Sequence, residues 1–156
     1  MDTPIRTITN QTFVKGLSVS NDIALVGSEL NNANQGVFTY NLNGGQLLQT
    51  LNGQGNTSPL SVALSPNGQL AVASTIDLRA ALWDDGSGRL LKTAQGPAAV
   101  SDNSSRVAFT PDGQLILSSY FGDLTVFDTT LAQKSQFRVH VAGGTLFAIA
   151  SIASFQ

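Results

Sequence analysis

The chain is 156 residues long with a formal charge of −2, and only 12% of its residues are charged. A balance so near neutral excludes the concentrated positive field that phosphate backbones require, so nucleic acid is not expected as a partner. The absence of cysteine excludes a disulfide framework and a thiolate metal site, and solubility must rest largely on Asn, Gln, Ser and Thr.

The opening residues, MDTPIRTITN, lack the apolar core of a signal peptide, which favours the cytoplasm. The uncharged run VAGGTLFAIASIASFQ at 141–156 is short for a membrane span and is broken by two glycines, so it reads as buried strand and no membrane is expected. Asn-x-Ser/Thr patterns at Asn10, Asn56 and Asn103 are what chance supplies in a chain this rich in those residues.

In chain order, residues 3–9 alternate weakly and suit a single outer strand. A first unit follows. Phe13 to Val19 supplies a strand, Ser20-Asn21-Asp22 a turn, and Ile23 to Val26 a compact apolar strand. Glu29 to Gln35, ELNNANQ, is too polar for a core and reads as a loop. Gly36 to Tyr40 is the third strand, Asn43-Gly44-Gly45 a turn, and Gln46 to Leu51 the fourth.

The second unit repeats this order. Val62 to Leu64 is its first strand, and Ser65-Pro66-Asn67-Gly68 a tight turn in which proline presets its backbone angle and Gly68 takes positive φ. Gln69 to Ser74, Leu78 to Trp83 and Arg89 to Thr93 are its remaining strands, with a hairpin at Asp84 to Gly88. The third unit has Val107 to Thr110, a Pro111-Asp112-Gly113 turn, Gln114 to Ser119, Leu124 to Phe127, and an outer strand within Gln133 to Val139. Gly68 and Gly113 lie 45 apart, Tyr40 and Trp83 lie 43 apart, and Trp83 and Phe127 lie 44 apart. Four strands repeating at such a period mark an all-β chain of propeller blades, each a four-stranded antiparallel meander.

These residues resemble the WD-repeat family of β-propellers. The likeness lies in Ser65-Pro66-Asn67-Gly68, Leu82-Trp83-Asp84, Ser87-Gly88 and Leu91-x-Thr93, and again in Thr110-Pro111-Asp112-Gly113 and Val126-Phe127-Asp128. The chain is similar also to YVTN-type and lactonase-like propellers, which share the turn. Where the WD family has a Gly-His pair, this chain has Gly53-Gln54 and Gly96-Pro97, and His140 stands at a glycine position. The family's buried network around that histidine is therefore not expected. Asp77 and Asp123 stand where the family places its turn aspartate, with backbone amides or hydroxyls such as Ser74 or Ser118 as expected partners.

One propeller or half-propeller domain over 1–156 is expected, with blades at 11–53, 54–96 and 97–140 and ends 1–10 and 141–156 forming a shared blade. That makes about three and a half blades, whose open strand edges must be covered. Three solutions are open: the two termini pair in a four-bladed monomer, a head-to-tail homodimer closes a ring of about eight blades, or the chain belongs to a longer propeller. The dimer is preferred, because four blades force a steep wedge angle.

The family resemblance implies a noncatalytic scaffold that binds a protein or peptide on its loop face, with no cofactor. Candidate binding residues are Asn31, Asn32, Asn34, Gln35, Arg79, Arg106, Tyr120 and Phe121, with Asn56 to Ser58 and Ser101 to Arg106 in neighbouring loops. Exposed aromatics beside arginine are the types enriched at binding hot spots. Tyr40, Trp83 and Phe127 occupy equivalent places and read as core between blades, with Gly68 and Gly113 as turn glycines. No catalytic residues are assigned, since His140 has no positioned nucleophile beside it. No metal is assigned either, since the Asp84-Asp85 pair supplies too few oxygens for a cage and reads as a polar hairpin. Two alternatives stay open: a lactonase-like or other hydrolase propeller with a ligand or metal in its central channel, and a propeller fragment or self-assembling building block.

Overall fold

The structure, a computed structural model, describes residues 13–29, 36–55, 58–77, 79–95, 105–118 and 123–138. The strand expected at 3–9, the run at 141–156, residues 30–35 of the expected loop and His140 lie outside them. Twelve strands are described, and no helix. The first sheet holds β1 (Val14–Ser20), β2 (Ile23–Ser28), β3 (Gly36–Asn41) and β4 (Leu47–Leu51). The second holds β5 (Pro59–Leu64), β6 (Leu70–Thr75), β7 (Arg79–Asp84) and β8 (Arg89–Gln95). The third holds β9 (Arg106–Phe109), β10 (Leu115–Ser118), β11 (Asp123–Phe127) and β12 (Gln133–Arg138). Strands follow one another across each sheet in chain order, and every neighbouring pair is antiparallel. Each sheet is thus a four-stranded meander of the propeller-blade type.

The turns form as their residues dictate. Gly68 N–H donates to the Ser65 carbonyl at 2.8 Å with φ +70° at Gly68, and the Ser65 hydroxyl accepts from Leu70 N–H at 2.9 Å. In the third sheet Gly113 N–H donates to the Thr110 carbonyl, with φ +86°, and the Thr110 hydroxyl accepts from Gln114 N–H, both at 2.9 Å. Each third strand also meets its fourth across a bulge at the same place: between Thr39 and Tyr40, Leu82 and Trp83, and Val126 and Phe127. The extra residues opposite are Leu48, Leu91 and Lys134, all exposed. A bulge strengthens local twist, and three in one position twist the three sheets alike.

Two details depart from the sequence reading. Strand β5 starts at Pro59, ahead of Val62, because a proline is admissible at the first position of a strand, and a register shift follows it. Leu131 is buried with φ +56°, closing the turn by donating its N–H to the Asp128 carbonyl at 2.9 Å.

Side-chain alternation sorts the core between sheets. Leu25, Val37 and Leu51 of the first sheet meet Val62, Leu64, Ala71 and Trp83 of the second. The other face of the second sheet, with Val72 and Leu82, meets Val107, Phe109, Leu115, Leu117 and Phe127 of the third. Val26, Phe38 and Tyr40 form a separate buried cluster on the face of the first sheet that points away from the second. The first strands lie side by side, β1 against β5 and β5 against β9.

Candidate functional site

The meander puts the starts of odd-numbered strands and the ends of even-numbered ones on one rim, where the expected binding loops emerge. On that rim each sheet carries one described ion pair. Lys15 Nζ lies 2.7 Å from Glu29 Oε2, Arg79 Nε 2.9 Å from Asp77 Oδ2, and Arg138 Nε 2.7 Å from Asp123 Oδ1. The cation is the more exposed partner each time: 44% against 41%, 54% against 32%, and 65% against 17%. Arg138 grips Asp123 with a second bond from Nη2 at 3.0 Å, so this pair is bidentate.

Asp77 also accepts from the Thr75 hydroxyl, and its carbonyl accepts from Gln95 Nε2 at 3.1 Å. The expected partner Ser74 is used elsewhere: its hydroxyl donates to the Ser105 carbonyl at 3.1 Å, joining the second sheet to the third. Asp77 is therefore held by Thr75 and Arg79, and Arg138 is a partner of Asp123. An i, i+2 step puts Thr75, Asp77 and Arg79 around one turn, whereas Arg138 comes from the neighbouring strand in register with Asp123, a pairing no short-range motif announces.

Arg79 is exposed on β7. Arg106, half-buried on β9, donates from Nη1 to the Ser105 carbonyl at 2.9 Å. The two stand on the same rim but on different sheets. Asn31, Asn32, Asn34, Gln35, Tyr120 and Phe121 lie outside the described residues, as do Asn56 and residues 101–104. Trp83, Phe127 and Tyr40 are buried, at 0%, 2% and 4% exposure. Trp83 Nε1 donates to the Asn52 carbonyl of the first sheet at 2.7 Å, so the indole links two sheets.

A groove of about 510 Å³ runs along the three first strands. Its described walls are apolar or hydroxyl side chains such as Leu17, Val19, Val62, Phe109, Ser18 and Ser65, with no titratable group among them. Among the described residues no three His, Asp or Glu side chains gather in a set able to hold a metal ion.

The opposite rim is built from polar turns. The Asp84 carboxylate accepts from Ser87 N–H at 2.8 Å and from the Ser87 hydroxyl, and these bonds hold it below the usual carboxylate range. Asp128 lies well below that range too, chiefly through the Thr130 hydroxyl, then Lys134 and the Ala132 and Thr130 amides. Asp85 does the reverse and turns inward, 4% exposed. Reading both hairpin carboxylates as one polar turn misses this difference.

The family described as "WD domain, G-beta repeat" matches residues 45–84, a stretch ending on Trp83-Asp84. The chain is WD-repeat-like. The match begins in the turn before β4 and ends with β7, so the matched stretch straddles two sheets. A "WD repeat-containing protein SL1-17" of Schistosoma mansoni is 30% identical over 95 residues, 60% of this WD-repeat-like chain. The chain spans about 30% of that relative's length.

Proposed function

We propose that this WD-repeat-like chain is a noncatalytic scaffold that binds a protein or peptide on the rim of paired cations. The observation that supports it is the repetition of one ion pair per sheet with the cation outward. A guanidinium already anchored by one edge loses little freedom when its remaining donors engage a partner, so binding costs less entropy. In the sequence Tyr120 and Phe121 fall between β10 and β11, outside the described residues.

The test is affinity capture with the intact chain, compared with Arg79→Ala and Tyr120→Ala, and with Asp112→Ala on the opposite rim. Loss of the recovered partner in the first two variants, with melting unchanged, supports the reading. Loss only in Asp112→Ala overturns it.

We further propose that a second copy closes the ring. On β1, Leu17 and Val19 are 64% and 56% exposed, whereas Val62 and Leu64, their counterparts on β5, are buried against the first sheet. An uncovered apolar strand at a sheet edge calls for a partner.

A further inference from the structure

Asp85 sits in the β7–β8 hairpin with its carboxyl inside the seam between the first and second sheets. Its N–H donates to the Gln69 carbonyl at 2.9 Å, which fixes the backbone, and Gln49 Nε2 of the first sheet donates to the Gly86 carbonyl at 3.1 Å, which draws the hairpin onto β4. The carboxyl faces the Thr39 hydroxyl of β3. Thr39 is fully buried, and neither its Oγ1 nor Asp85 Oδ1 closes a well-formed hydrogen bond. Two enclosed oxygens across a seam are an unfavourable arrangement for an ionised carboxylate.

We propose that Asp85 is a proton-operated latch on this seam. Neutral, the carboxyl is tolerated in the seam and the two sheets close; ionised, its proton is released to solvent and the buried charge, with the Thr39 hydroxyl as the donor that faces it, loosens them. From its own hairpin the charged groups nearby are Asp84, whose negative charge opposes ionisation of Asp85, and Arg89, which acts on Asp84. From the first sheet the groups facing it are the uncharged Thr39 and Gln49, and Lys15 and Glu29 pair on the far rim. No described cation offsets the charge. Burial, then Asp84, push Asp85 above its ordinary value against the smaller downward pull of the Thr39 hydroxyl.

The sign follows from linkage. A carboxyl whose folded value is raised contributes its full stability below its unfolded value of about 3.9, and that contribution is lost as pH rises through the folded value. The loss is at most about tenfold in the folding constant per pH unit. The experiment compares unfolding of the intact chain and Asp85→Asn from about pH 3.5 to about pH 8. The stability of the parent is expected to fall relative to the variant as pH rises. A difference that stays flat across this window overturns the proposal. Carbon NMR of the Asp85 carboxyl in the parent serves if the variant does not fold. A midpoint above about 3.9 that moves further up in Thr39→Val supports the latch, and one at or below it overturns the latch.

Discussion

Gly27 has no side chain because Val62 occupies the space: a β-carbon there would lie 2.8 Å from Val62 Cγ1 and 3.4 Å from Pro59 Cβ. The obstruction is the packed core between the first and second sheets. Gly27→Ala is therefore expected to cost about 1–3 kcal/mol in urea unfolding. Gly86→Ala is the control, since its β-carbon would meet only Asp84 Oδ1 at 3.8 Å, and it should stay within about 0.5 kcal/mol of the parent. At the acid end, Asp84, Asp112 and Asp128 are held below the carboxylate range by hydrogen bonds. The stability they supply is present above about pH 4 and lost as pH falls below it. Asp128→Asn should flatten part of that acid loss in melts followed by circular dichroism. Asp84 and Asp85 show where residue-level reading stops. Which neighbour points outward depends on a four-residue turn and on Thr39, a residue of another sheet.

Seams between sheets are stitched through first strands by serine. Leu64 N–H donates to the Ser18 hydroxyl at 3.0 Å, and Val107 N–H to the Ser61 hydroxyl at 3.3 Å. Ser18→Ala leaves a backbone donor of β5 unpaired in the seam and is expected to cost about 1–2 kcal/mol in thermal unfolding. The bulges support a second expectation. Lys134 occupies in the third sheet the place of Leu48 and Leu91, which are 44% and 39% exposed. Leu48→Lys with Leu91→Lys should thus fold with a melting free energy within about 0.5 kcal/mol per site of the parent. The turns were legible because Ser, Pro and Gly act locally. The outer strand β12 was legible only to within Gln133 to Val139, since its residues are all exposed and its position is set by pairing with β11 rather than by an apolar pattern. The bulges left no mark of their own, because an extra residue in an exposed strand resembles a register slip.

Over the whole molecule, the repeat offsets were enough to place three meanders, because an aromatic recurs in each third strand and a glycine in the first turn of the second and third sheets. How the ends are covered was not legible, since closure depends on faces and not on motifs. A second copy closing the ring predicts a solution mass twice the 16.3 kDa of the chain in light scattering. Leu17→Lys with Val19→Lys should return that species to a single chain. A parent strictly monomeric at all concentrations would refute the closure.

The stretch matched at 45–84 does not coincide with a sheet, since it supplies β4 to the first and β5 to β7 to the second. The matched unit therefore finishes the first sheet before beginning the second, as courses of brick overlap at a joint. The one stretch thus ties the two sheets covalently across the seam where Trp83 meets Asn52. The matched stretch and the folded sheet are different objects, and an excised copy of either lacks a strand or a neighbour that the other provides.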